Sequence, residues 1–234
     1  MDQTAADHGE RPHSDISPSG FKNRELCGEF QQCDIGEDPH PTTVEGTFLH
    51  EWLEDWWHNI ITELEDKKDL ASLTDEQVRL TKMCIDYVMQ LRTYNTDPSR
   101  TIIEPKIDIT ENVWGFADRL QFSEDRKFLD IADWKFGRIP VQDAETNLQG
   151  ICYVAGSFRA HPEVESIRIH FPQPRIDRIT YHTFTRSQLP TLEDYIFSIL
   201  GNVGSKRYFY DEDVCCYCTN YECPIKQRCV NDRT

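Results

Sequence analysis

Residues 115–137 read GFADRLQFSEDRKFLDIADWKFG, and this stretch decides the fold. Two runs of strand-forming residues flank the turn-forming Ser123-Glu124-Asp125, a pattern that predicts an antiparallel hairpin. Side chains alternate along a strand, so Asp133 and Lys135 share one face while Trp134 turns to the other, towards the core. Asp118 lies on the partner strand, where a GFAD turn or bulge can aim it at them. Asp130, three residues from Asp133, falls on the opposite face and is left out of the candidate site.

Converging carboxylates need a counterion, and for oxygen ligands Mg²⁺ or Mn²⁺ is the common one. A lysine beside such an ion can orient or help deprotonate an attacking water, whose pKa the ion lowers. A D-x-K pattern taken by itself reads more often as a surface ion pair, so its weight comes from the rest of the chain.

Upstream of the hairpin, residues 41–68 carry Phe48, Leu49, Leu53, Trp56, Trp57, Ile60, Ile61 and Leu64 at helical spacing, with Thr42 and Thr43 as candidate caps. Thr74 and Gln77 form a capping-box pattern that opens a second helix, running to Leu91. Strand-like runs at 101–110, 112–122 and 127–136 follow, then a helix over 147–161 with Asp143 as a candidate cap. Two further strand-like runs, 164–173 and 178–185, and a helix over about 187–201 lead to a cysteine-rich end. Mixed order of this kind predicts an α/β domain around a central mixed sheet flanked by helices.

At 234 residues and 38% apolar, the chain can bury one sizeable core. Residues 1–22 are polar and rich in Ser, Pro, Asp, His and Gly, and are expected to be a mobile tail, leaving 23–234 as one domain that includes a cysteine segment at 213–231. No run approaches the roughly 18 apolar residues of a membrane span, and the N-terminus lacks the pattern of a signal peptide, so a soluble cytoplasmic protein is expected. A net charge of −16 argues against non-specific coating of nucleic acid and calls for metal ions and a local basic groove, for which Arg119, Lys135, Arg138 and Lys106 are candidates.

Five of the nine cysteines, Cys215, Cys216, Cys218, Cys223 and Cys229, crowd into one short segment. Thiolates this dense bind a soft metal, either tetrahedral Zn²⁺ or an iron–sulfur cluster. Zinc can be satisfied locally by four of the five. Cys33, Cys84 and Cys152 read as ordinary thiols.

Gly115-x-x-Asp118, Asp133-x-Lys135 and Gln149-x-x-x-Tyr153 occur in order, with Glu45-Gly-Thr-x-x-His50 upstream. This set resembles the PD-(D/E)xK nuclease superfamily, in its RecB-like and AddB-like exonuclease branch, over about residues 27–229. The resemblance implies a restriction-endonuclease-like core. It implies that Asp118 and Asp133 bind Mg²⁺ or Mn²⁺, with His50 and the backbone carbonyl of Trp134 completing the site, and that Lys135 is the catalytic lysine. Gln149 and Tyr153, one helical turn apart, match the motif that places the DNA strand, and Glu104 stands where this branch often has a further acid. The branch's [4Fe–4S] cluster would be held by Cys27 (Cys33 as runner-up), Cys218, Cys223 and Cys229, with Cys215 or Cys216 as substitute for Cys218, tying the chain ends together. Ala117 replaces the proline of the superfamily name. The resemblance implies a DNA substrate with single-stranded ends, a helicase or recombinase nearby, and a recombination or repair setting such as that of a phage. The rival reading is a non-catalytic zinc- or cluster-containing module that binds nucleic acid or protein.

Overall fold

The computed structural model describes residue 14 and residues 16–28, 41–62 and 73–203. Five helices are described, α1 (Phe21–Leu26), α2 (Pro41–Thr62), α3 (Asp75–Met89), α4 (Leu148–Ala160) and α5 (Leu189–Asn202). The strands are β1 (Thr101–Ile103), β2 (Lys106–Thr110), β3 (Val113–Phe116), β4 (Arg119–Phe122), β5 (Phe128–Ala132), β6 (Ser166–Gln173) and β7 (Arg178–Thr185). They form a five-stranded sheet in the order β1-β4-β5-β6-β7 and a separate ribbon of β2 and β3. The predicted hairpin is present as the antiparallel pair β4 and β5, whose turn places Arg126 in the left-handed region at φ 57°. β5 and β6 run parallel, which demands a crossover, and α4 supplies it.

Alternation along β4, β5 and β6 divides the sheet into two unlike faces. Leu120, Phe122, Leu129, Ile131, Ile167, Ile169 and Phe171 share a core with α4 and α5. Ala132, Trp134 and Phe136 join a second core with Leu49, Trp52, Leu53 and Trp57 of α2 and Leu80, Cys84 and Val88 of α3. Each face of the sheet therefore has its own helical layer. Past the end of β5 the chain stays extended along β6, through Asp133 N–H to His170 O at 3.0 Å and Lys135 N–H to Pro172 O at 2.9 Å. The register that buries Leu129 and Ile131 thus carries Asp133 and Lys135 to the α4 side, while Trp134 goes to the α2–α3 side.

Helix starts follow local chemistry. The Thr74–Gln77 capping box of α3 is complete, with both reciprocal bonds formed. α2 begins at Pro41, so Thr42 and Thr43 stand inside its first turn rather than capping it. The cap of α4 is Asn147, whose side chain accepts from Gly150 N–H, and not Asp143, whose carbonyl closes the preceding turn.

Two runs expected as single strands are each broken in two. The first breaks at Glu104, which is left-handed at φ 49°, and Pro105; the second breaks at Ala117 and Asp118. Glu104 N–H donates to Asp118 O at 3.0 Å and Ala117 N–H to Pro105 O at 3.3 Å, so the breaks face each other where the chain leaves the sheet for the ribbon. A proline and a left-handed residue end the ladder of one strand, and its partner turns with it.

Part of the segment expected to be a tail is structured. Pro18–Gly20 forms a 3-10 turn that leads into α1, and Phe21 is fully buried against the α4–α5 core. Ser14 donates to Asn112 O at 2.8 Å. One buried aromatic can anchor such a segment despite its polar composition. Cys27 is buried at the end of α1, whereas Cys33, Cys215, Cys216, Cys218, Cys223, Cys229 and the whole of 213–231 lie outside the described residues. Cys84 and Cys152 are buried free thiols, and burial pushes both upward, so they stay protonated at neutral pH.

Gly156 lets α4 close on the ribbon. A Cβ there would stand 2.6 Å from Ile107 Cγ2 and 2.7 Å from Asp108 O, and the carbonyl belongs to backbone that cannot rotate away. Gly156→Ala is expected to cost about 1–3 kcal/mol through overpacking, read as a lower midpoint in urea at unchanged slope.

Candidate active site

The two strand breaks, the end of β5, α2 and α4 all open onto one cleft of about 250 Å³. Its lining includes His50, Glu104, Asp118, Asp133, Lys135, Gln149 and Tyr153. Residues separated by more than a hundred positions are thus brought to one place.

Asp118 owes its aim to the strand break, because it stands where β3 gives way to β4 and its carboxylate turns back over the end of β5. Oδ2 accepts from Trp134 N–H in a very close contact, and Oδ1 lies 2.8 Å from His50 Nδ1, sharing a hydrogen bond. The Phe136 ring meets the His50 ring edge-on at 5.1 Å between centroids, fixing its plane. The Glu104 side chain lies close enough to Asp118 to favour its charged form, against the larger effects of burial and Asp133. Burial, and then the charge of Asp133, push the Asp118 carboxyl up to about 8.

Asp133 and Lys135 are organised by Gln149. Lys135 Nζ lies 2.5 Å from Asp133 Oδ2 and donates to Gln149 Oε1 at 2.9 Å. The Gln149 amide in turn donates to Asp133 Oδ1 at 3.2 Å and to the Tyr153 hydroxyl at 3.0 Å. Tyr153 donates to Phe116 O at 2.6 Å, tying the helix to the ribbon, and burial raises it well above the usual phenol range. One amide therefore sets the lysine and the carboxylate together.

Other expected cations lie elsewhere. Arg119 is buried on the opposite face, with its guanidinium 4.0 Å from the centre of the Trp57 ring and a bond to Gln121 Oε1 at 3.0 Å, and burial pulls it down to about 9. Lys106 is paired with Asp108 at 2.7 Å, and neither it nor Arg138 lines the cleft. Asp130 lies on the face away from the cleft, in a buried network with Thr93 and His170.

The cleft also contains residues that the motifs did not single out, Ser14, Ser17, Pro18, Ser19, Phe116 and Trp114, beside Thr47 of the Glu45-Gly-Thr-x-x-His50 pattern. Thr47 precedes His50 by three positions on α2, a spacing legible in the helix itself. Trp114 stands directly before Gly115, and the aromatic next to the Gly-x-x-Asp motif was the signal available for it.

The donor set fits a hard divalent cation in kind, with carboxylate oxygens from Asp118, Asp133 and Glu104 and an imidazole nitrogen from His50. A cation would also relieve the repulsion that raises Asp118. Among the described residues, no three such side chains are gathered round a common ion position, and in this arrangement His50 and Asp118 are bonded to each other.

Fold and site together define an α/β protein whose five-stranded mixed sheet, flanked by helices, carries paired carboxylates and a lysine at the edge of a cleft. The family model described as "Protein of unknown function (DUF2800)" matches residues 28–232, and the chain belongs to that family. No curated protein matches it. Among solved structures, the chain is similar to a protein of Eubacterium rectale provisionally named an exonuclease, at 13% identity and a TM-score of 0.45, with 89% of each chain covered. It is also similar to the protein SSO0001, at 11% identity and a TM-score of 0.38, with 92% of this chain and 89% of that one covered. No helix among the described residues is long and apolar enough to cross a membrane.

Proposed function

We propose that the protein is a Mg²⁺- or Mn²⁺-dependent DNA nuclease of the PD-(D/E)xK type that hydrolyses phosphodiester bonds, acting as an exonuclease on strands with single-stranded ends. The observation that carries this reading is the meeting of Asp118, Asp133 and Lys135 in one cleft, with Gln149 bonded to both Asp133 and Lys135. A surface ion pair on an edge strand would need neither the burial of both carboxylates nor an amide shared between acid and lysine.

Asp118 and Asp133 supply anionic oxygens, His50 an imidazole nitrogen and Trp134 a backbone carbonyl for the cation. When bound, that ion supplies Lewis acidity at the phosphate and lowers the pKa of a coordinated water. Lys135, held by Gln149, donates to the attacking water and keeps its lone pair directed at phosphorus. The water oxygen forms the new P–O bond as the bond to the leaving oxygen breaks; the water gives up one proton to solvent and the leaving oxygen takes one from solvent.

The cysteine-rich end belongs to the same proposal as the holder of a [4Fe–4S] cluster, with Cys27, Cys218, Cys223 and Cys229 as ligands, Zn²⁺ being the alternative metal. A helicase or recombinase would supply the strand ends. Anaerobically purified protein is expected to be coloured and to contain iron and sulfide; colourless protein containing only zinc would remove the cluster.

The nuclease reading is tested with 5′- and 3′-labelled single- and double-stranded DNA. Degradation is expected with Mg²⁺ or Mn²⁺ and should vanish in EDTA. Wild-type protein that leaves every substrate intact with both ions would end the enzyme reading.

A further inference from the structure

We propose that Trp114 forms a base-stacking subsite, holding a nucleobase of the DNA strand whose phosphodiester lies against Asp118, Asp133 and Lys135; this rests on the nuclease reading. Of the five tryptophans, Trp52, Trp57 and Trp134 are buried to 2% exposure or less, and Trp56 packs beside them on the α2 core. Trp114 is different: it is half-buried and forms part of the cleft wall, four positions before Asp118.

Its ring is supported from outside the cleft. Lys106 Nζ stands 4.7 Å from the ring centre and is itself tethered to Asp108, and neither residue lines the cleft. On the opposite face of β3 the strand that carries the ring is held closely, because a Cβ on Gly115 would stand 3.0 Å from Pro18 and 3.1 Å from Tyr153. An indole placed this way offers a fixed, mostly apolar surface.

Charge makes such a surface necessary. The protein carries a net −16, and among the described residues Lys135 is the lysine or arginine that lines the cleft, already engaged by Asp133. With one side-chain cation there, phosphate contacts other than those to a bound metal ion supply little affinity, and the bases are left to supply it. Every base has a π-face, and stacking on an aromatic side chain tolerates any sequence.

The test compares a fluorescein-labelled oligothymidylate with an abasic oligonucleotide of equal length. Binding is followed by anisotropy with Ca²⁺ in place of Mg²⁺, and cleavage is followed with Mn²⁺. The wild type is expected to bind the base-containing strand about 10- to 100-fold more tightly. Trp114→Ala should erase that preference while cleaving the abasic strand at the wild-type rate, and Trp114→Phe should retain most of the preference. Equal wild-type affinity for the two strands, or a preference that survives Trp114→Ala, would overturn the subsite. So would a Trp114→Ala protein that loses abasic cleavage as well, since the indole would then be holding the acids in place. Wild-type protein that cleaves neither strand, yet shows a base preference that Trp114→Ala removes, would end the nuclease reading and leave the subsite standing.

Discussion

Lys135→Ala is expected to lower Mg²⁺- or Mn²⁺-dependent DNA hydrolysis by about 10²- to 10³-fold, the range for losing one preorganised hydrogen-bond donor at the reacting atoms. The side chain is held from two directions, by Asp133 Oδ2 at 2.5 Å and Gln149 Oε1 at 2.9 Å, so its ammonium has one place to be. Lys135→Arg should not restore the rate, because a planar fork cannot occupy the position of a compact ammonium between those two oxygens. Removing the ammonium also strips Asp133, whose side chain is 5% exposed, of its ion partner next to a second buried acid. A modest fall in melting temperature is therefore expected alongside the loss of rate. Assays run well below the variant's midpoint separate the two effects. Hydrolysis within tenfold of wild type in folded Lys135→Ala protein would show that the lysine balances charge and takes no part in the reaction.

The sequence made the site legible for a definite reason. Asp133, Trp134 and Lys135 extend the alternation of a strand whose core face is marked by Leu129 and Ile131, so period two alone separates the cleft pair from the buried indole. Gln149 and Tyr153 lie one turn apart in a helix, and their common face follows from period 3.6. Asp118 was harder, since its aim depends on two strand breaks that face each other, and the runs 101–110 and 112–122 read locally as continuous strands. Only the pairing of Glu104 with Asp118 across the ladder shows where both leave the sheet.

Other features resisted sequence reading because residue type misled or because the partner was remote. Arg119 looks like a surface cation near the motif, yet it is 1% exposed and stacked on Trp57, a residue far away in the chain. Its alternation with Leu120 places it on the same face as Asp130 and Ala132, so the strand pattern was informative where the charge was not. Residues 14–22 are polar enough to read as a tail, and Phe21 alone marks the docking. Trp114 could be read as one more core aromatic until the ribbon placed it at the cleft.

The two faces of the sheet make opposite predictions for two buried acids, Asp130 and Asp118. Asp130 is 3% exposed, accepts from Thr93 Oγ1, lies 2.8 Å from His170 Nε2 and has Arg168 Nε at 3.7 Å. His170 in turn contacts the Tyr87 hydroxyl at 2.7 Å, so the chain of bonds ties α3 to the sheet. Asp130→Ala leaves Thr93 and His170 buried without their acceptor, and a loss of about 3–5 kcal/mol for the two together is expected. For a domain of this size that corresponds to a fall in melting temperature of roughly 6–20 °C. Hydrolysis per folded molecule should stay within a few-fold, because Asp130 does not line the cleft. Asp118→Asn should do the reverse. Burial and Asp133 push that carboxyl up to about 8, so without a cation it is largely neutral at pH 7, and a neutral amide of the same shape changes the charge little and keeps an acceptor for Trp134 N–H. Stability should hold or rise while hydrolysis falls at least about 10²-fold, as expected where function requires a costly arrangement. Thermal melts and single-turnover cleavage on both variants check the pair. Retained hydrolysis in Asp118→Asn, together with loss of hydrolysis in folded Asp130→Ala, would move the working acids to the other face of the sheet.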